Sequence, residues 1–134
     1  MIESGKKVLI VEDNPEWREL LARILQRLSC EVFEAITGTE AIDQALGVGP
    51  DLILMDFSLP DMDGDEVTGL LKQYPATREV PVVVQTAYIS AEHTSRALSA
   101  GASEVLQKPV ELSLLYDVLQ KYLAVEYPPT DRQA

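Results

Sequence analysis

Three acidic segments in this chain lie at the end of an apolar run or just past it. They are Glu12 and Asp13 after Val8-Leu9-Ile10-Val11, Asp56 after Leu52-Ile53-Leu54-Met55, and Asp61 with Asp63 ahead of Gly64. A carboxylate that closes a buried strand is costly unless it is solvated, paired or bound to a cation. If the first two strands lie side by side, Glu12, Asp13 and Asp56 meet at one edge of a sheet. That is a site for a hard cation, and a carboxylate near it can serve as a nucleophile.

Taken singly, these residues have plain explanations. Glu12 and Asp13 suit the start of a helix, whose dipole favours negative charge, and Asp56 suits a turn. Thr86 is a common residue at a strand end, and Lys108 before Pro109 reads as a solvated loop lysine. Asp61 and Asp63 read as loop acids with Gly64 supplying the turn, so neither is assigned to the cation. His93 reads as a solvated surface residue, and Trp17 as packing or a partly exposed partner contact.

The elements that must position these groups alternate along the chain. Lys7–Val11 is a short apolar strand, followed by a helical repeat of Trp17, Leu20, Leu21, Ile24, Leu25 and Leu28 that opens on Asn14-Pro15. Glu31–Ala35 reads as a second strand. Ala41, Ile42, Ala45 and Leu46 mark a second helix that stops at Gly47 and Gly49-Pro50. Residues 52–55 form a continuous apolar strand, and Val67, Leu70 and Leu71 mark a third helix. Residues 80–84 are the most β-branched stretch and read as a central strand. A short polar helix over 90–100 closes at Gly101, a fifth strand covers 103–106, and a last helix covers 111–123. The last helix carries Leu114, Leu115, Val118, Leu119 and Tyr122 on one face.

Such alternation predicts an α/β fold with a parallel sheet and helices on both faces. Sites in open sheets of this kind lie beyond the carboxyl ends of the strands. Glu12, Asp13, Asp56, Thr86 and Lys108 each follow or close a strand, so all fall on that edge.

The 134 residues make one domain, and an apolar fraction of 46% excludes general disorder. The apolar runs are too short to span a bilayer, and no apolar leader follows Met1, so secretion is not expected. Cys30 is the sole cysteine and suits a reducing cytosol; it reads as a small core residue. A net charge of −11 argues against direct nucleic-acid binding and against anionic membranes, and favours metal cations.

Taken in order, five pieces of the chain carry a resemblance: Val8-Leu9-Ile10-Val11-Glu12-Asp13-Asn14, the run Asp51 to Asp56 with Leu59-Pro60 and Met62-Asp63-Gly64, Pro81 to Thr86-Ala87, Gly101-Ala102, and Lys108-Pro109. Over residues 6–123 the chain resembles a response-regulator receiver domain of two-component and phosphorelay signalling, CheY-like in kind. Residues 124–134, with Pro128-Pro129, read as a C-terminal tail or linker stub.

The resemblance implies a flavodoxin-like, doubly wound (βα)5 fold with strand order 2-1-3-4-5. It further implies Mg2+-dependent phosphorylation of one aspartate by a histidine kinase or a histidine phosphotransfer protein. Carried onto this sequence, Asp56 is the phosphoacceptor, and Thr86 and Lys108 are the phosphoryl-sensing pair. Asp13, Asp56 and the backbone carbonyl of Ser58 hold the Mg2+, with Glu12 acting mostly through water. The bond between Lys108 and Pro109 would be cis. The expected setting is cytoplasmic, with an unknown downstream protein target and a monomer or a phosphorylation-dependent dimer. No enzymatic turnover is expected beyond transfer to, and hydrolysis from, Asp56.

The chemistry fits these residue types. Mg2+ takes oxygen ligands, commonly one or two carboxylates plus phosphate oxygens. Phosphoryl transfer needs in-line approach and neutralisation of charge on three equatorial oxygens. Lys108 supplies a compact cation and Thr86 a hydroxyl donor. Three departures from the family pattern stand out. Val105 occupies the place of a switch aromatic, Ser58 and Tyr88 fill the two variable positions beside the phosphoryl group, and Phe57 follows the acceptor. Bulky Tyr88 is expected to hinder the attacking water. An aspartate-nucleophile phosphatase is an alternative, but Asp56-Phe57-Ser58 lacks the second acid of such enzymes. A non-phosphorylated adaptor is the other alternative, and the intact acids, threonine and lysine count against it.

Overall fold

The computed structural model describes residues 5–125. Five strands alternate with five helices: β1 (Lys7–Val11), α1 (Pro15–Arg27), β2 (Glu31–Ala35), α2 (Gly38–Val48), β3 (Leu52–Asp56), α3 (Gly64–Leu71), β4 (Val82–Thr86), α4 (Ala91–Ala100), β5 (Glu104–Gln107) and α5 (Leu112–Leu123). The sheet runs β2-β1-β3-β4-β5 with every pair parallel. The expected α/β class and the flavodoxin-like strand order are both observed.

Alternation along the central strands builds two cores, because successive side chains point to opposite faces. Val8, Ile10, Leu52 and Leu54 join α1 and α5 on one face. Leu9, Val11, Ile53 and Met55 join α2, α3 and α4 on the other. Burial on both faces explains why these strands read as continuous apolar runs. Cys30 is buried in the first core, as expected.

Local caps set the helix starts. The Asn14 side chain accepts the Trp17 N–H at 2.9 Å with Pro15 as the first helical residue. Thr37 caps α2 by accepting the Glu40 N–H at 3.1 Å, and Ser90 caps α4 by accepting the His93 N–H at 3.1 Å. Gly101 ends α4 in the left-handed region, φ 116°, where a side chain would be strained.

Some expectations from periodicity need correction. The fourth strand is Val82–Thr86, two residues beyond the expected 80–84. Pro81 has no N–H to give a ladder, while Gln85 and Thr86 are buried in spite of their polarity. The fifth strand is likewise displaced by one residue. Leu20 and Leu114, expected on the buried faces of the first and last helices, are exposed, as are Leu46 and Leu70. Each helix packs a stripe narrower than its apolar residues cover, and in α5 Tyr116 is buried instead. Past α5, Val125 is buried against the first core. The rest of the expected tail, 126–134, lies outside the described residues.

Candidate functional site

Parallel pairing of β1 with β3 and of β3 with β4 brings three strand ends together. Glu12 follows β1 directly, and its N–H donates to Ala35 O of β2 at 3.0 Å, which holds the chain in sheet register for one more residue. Its side chain is therefore turned inward and only 2% exposed, whereas Asp13 is exposed. The Glu12 carboxylate accepts the Asn14 N–H at 3.2 Å. Arg18, one turn into α1, donates to Glu12 O at 2.9 Å and pairs with Glu34 at 2.9 Å, tying the loop to β2.

Asp56 ends β3 opposite Gln85 of β4 and is 6% exposed. One carboxylate oxygen accepts the Ser58 N–H at 3.2 Å. Lys108 follows β5 and is joined to Pro109 by a cis bond; its N–H donates to Thr86 O at 2.8 Å. The lysine Nζ lies 2.8 Å from Glu12 Oε1 and 3.3 Å from Asp56 Oδ1. One lysine thus bridges two buried acids that would otherwise repel.

Glu12, Asp13 and Asp56 each offer a carboxylate oxygen, and these oxygens lie within 4.8 Å of one another. Oxygen-only donors at that spacing suit a hard cation. The acids also perturb one another. Burial, and then the charge of Glu12, push the Asp56 carboxyl from 3.8 up to about 7, against the pull of Lys108 and the Ser58 N–H. A cation at this point would relieve that repulsion.

Thr86 closes β4, is 3% exposed, and keeps its hydroxyl in its own loop. The Oγ donates to Tyr88 O at 3.1 Å and accepts the Tyr88 N–H at 3.2 Å. Glu12, Asp13, Asp56, Thr86 and Lys108, singled out in the sequence, therefore reach one edge of the sheet. Tyr88 and Ser58 are exposed beside them, and Val105 is half-buried against the second core.

Comparison with known proteins agrees with this geometry. The model of the response regulator receiver domain family matches residues 8–120. The chain belongs to that family. This receiver is 36% identical over 115 residues to the signal transduction histidine-protein kinase BarA of Shigella flexneri, covering 86% of this chain but 12% of the kinase. It is 34% identical over 118 residues to the polar-differentiation response regulator DivK of Brucella ovis, covering 88% of this chain and 96% of DivK. The receiver thus spans a small part of one relative and nearly all of another. Among solved structures, the receiver domain of a sensor histidine kinase from Pseudomonas aeruginosa, with a magnesium ion coordinated in its active site cleft, superposes with TM-score 0.82 at 31% identity, over 90% of this chain and 98% of that one. The chemotaxis protein CheY4 of Vibrio cholerae gives TM-score 0.83 at 30% identity, over 88% and 98%.

Several residues of the receiver site are not visible in its motifs. Asp61 accepts the Gly38 N–H at 2.7 Å and the Thr39 N–H at 3.0 Å, stapling the β3–α3 loop to the start of α2. Those bonds draw its carboxyl down to about 2. Asp63 and Glu66 form a capping box on α3, a pattern the Asp-x-x-Glu spacing does show. Arg96 of α4 pairs with Asp63 at 3.2 Å and Asp65 at 3.1 Å. Trp17 is half-buried, and its Nε1 donates to the buried Gln85 side chain at 2.9 Å. His93 corrects the reading of a solvated surface residue. Its ring stacks on Phe57 with centroids 4.4 Å apart and planes at 22°. Phe57, as the residue after Asp56, emerges from the sheet where α4 passes.

Proposed function

We propose that residues 6–123 form a phosphoacceptor receiver domain in which Asp56 takes a phosphoryl group from a histidine kinase or histidine phosphotransfer protein. The observation that carries this reading is the shared edge: Asp56 lies 3.3 Å from Lys108 Nζ and within 4.8 Å, oxygen to oxygen, of Glu12 and Asp13. Receivers are signalling domains, and the aspartate-nucleophile phosphatase alternative is disfavoured because no second acid stands two residues after Asp56.

The donor set fits Mg2+, with Asp13, Asp56 and the Ser58 carbonyl as protein ligands and Glu12 acting mostly through water. When bound, the ion supplies positive charge against the charge spreading over the transferred oxygens. The chain's own groups do the rest. Asp56 attacks phosphorus in line, so its bond to phosphorus forms as the bond to the donor's imidazole nitrogen breaks. Lys108 faces the incoming group with a compact cation. Thr86 exchanges its bond to Tyr88 O for one to a phosphoryl oxygen. The consequence is a population shift over the face of α4, β5 and α5, read by a downstream protein or by a second copy.

The same reading places the domain in the cytoplasm, with no direct nucleic-acid or membrane partner; none of the described helices is long and apolar enough to cross a membrane. The test is incubation with Mg2+ and acetyl phosphate, followed by intact-mass measurement of the wild type and Asp56→Asn. One labile phosphoryl group on the wild type alone, dependent on Mg2+, is the expected result. Equal modification of both proteins, or of neither, overturns it.

A further inference from the structure

We propose that His93 is the positioning residue that couples the Thr86 hydroxyl to the first turn of α4, an inference that rests on the phosphoacceptor reading of Asp56. His93 meets the Tyr88 ring edge-on, with centroids 5.9 Å apart, and makes two further contacts. Its ring lies on Phe57, the residue bonded to Asp56 through the backbone, and its Nδ1 is 3.1 Å from Tyr88 O. A carbonyl oxygen can only accept, so this contact requires the proton on Nδ1. The same oxygen accepts the Thr86 hydroxyl at 3.1 Å. Thr86 and His93 therefore share one acceptor.

That sharing has a consequence for switching. To bond a phosphoryl oxygen, the Thr86 hydroxyl must leave Tyr88 O. Tyr88 is exposed, so water can take the vacated oxygen, and what the switch stands to lose is the order of the loop. The Nδ1–H of His93 stays on the oxygen, so Thr86 departs while the loop holds its place. With its competitor gone, the imidazole takes the acceptor alone, and the ring's seat on Phe57 adjusts with it.

The surroundings make His93 well placed for this. Its backbone N–H is fixed by the Ser90 cap at 3.1 Å. One turn on, Arg96 lies with its guanidinium carbon 5.3 Å from the centroid of the same Phe57 ring, and it is held by Asp63 and Asp65. Two residues of one α4 face thus grip the residue after the phosphoacceptor. Val105 of β5 has no polar group with which to report on Thr86.

The experiment uses the whole chain with beryllofluoride and Mg2+ as the phosphoryl probe. It compares His93→Ala, His93→Phe, which keeps a ring on Phe57 without the donor, and His93→Asn, which keeps a donor near Nδ1 without the ring. Probe affinity is followed by Trp17 fluorescence, and the α4 response by amide exchange over Ala91–Ala100. The expected loss of affinity is about fivefold or more in the Ala and Phe variants, the equivalent of one ordinary hydrogen bond, with Asn restored towards wild type. The α4 response to the probe is weakened in Ala and Phe. The probe-free melting temperature follows the ring instead, falling in Ala and Asn and holding in Phe. Wild-type affinity and response in His93→Ala overturn the proposal, as does rescue by Phe but not by Asn. A wild type that binds no beryllofluoride, or an Asp56→Asn variant that binds it equally, is instead a failure of the phosphoacceptor reading.

Discussion

Asp56 is held in a state that disfavours the metal-free fold near neutral pH. Its carboxyl titrates at about 7 in the folded protein against 3.8 in an ordinary setting, chiefly from burial and then from Glu12. A folded value above the unfolded one means that stability is complete below pH 3.8 and is lost as pH rises towards 7. Asp56→Asn removes that loss. In a metal-free buffer the variant should match the wild type near pH 4 and exceed it near pH 8. A tenfold change in proton affinity is worth about 1.4 kcal/mol, and solvent at the open side of the site screens the charge, so the gain is on the order of 1–2 kcal/mol. Melting curves against pH with a chelator measure it; identical curves at pH 8 would show that the fold does not penalise an ionised Asp56. Thr86 and Lys108 complete the residue scale, since a hydroxyl parked on Tyr88 and a lysine parked between two acids are both free to change partner.

The loop from β3 to α3 is the element that converts a strand end into a site. Gly64 donates its N–H to Phe57 O at 2.6 Å, and a Cβ built on it would overlap the backbone carbonyl oxygen of Asp56. Gly64→Ala must therefore move backbone rather than a flexible side chain. A cost of about 1–3 kcal/mol or more is expected, together with slower phosphorylation of the folded protein because Asp56 itself is displaced. Denaturant unfolding and acetyl phosphate kinetics test the two effects separately, and unchanged values of both would contradict the close approach. Asp61 gives the same loop a second anchor on α2. The five named motifs and the helix cap at Asn14 were legible in the sequence, because caps and turns act over a few residues. The Asp61 staple spans more than twenty residues, and nothing at either end signals it.

At the scale of the whole molecule, excess negative charge and the gathered carboxylates both attract cations, but they do so differently. Diffuse attraction is screened by salt, whereas a carboxylate site binds by contact. Mg2+ should raise the melting temperature by several degrees in buffer already near physiological ionic strength, since ligand at about a hundredfold excess over Kd stabilises by about 2.7 kcal/mol. Asp13→Asn should blunt the rise. An equal rise from NaCl at matched ionic strength would show that only the net charge is at work. The division of the core into two halves supports the same picture: α1 and α5 pack one face, and α2, α3 and α4 the other, leaving the strand ends open between them.

The alternation of strands and helices, the parallel sheet, and the acids, threonine and lysine at strand ends were all determined by the sequence alone, because period, cap and burial cost are local properties. The tertiary structure decided which strands are neighbours, and so which acids meet. It also decided what lies between them: Lys108 bridging Glu12 and Asp56, Arg96 across Asp63 and Asp65, and His93 between Phe57 and Tyr88. A lone histidine in a polar helix carries no sign of a stack, since its partner comes from the distant loop that follows β3. Contacts of that kind belong to the packing of the sheet against α4, which only the folded chain brings about.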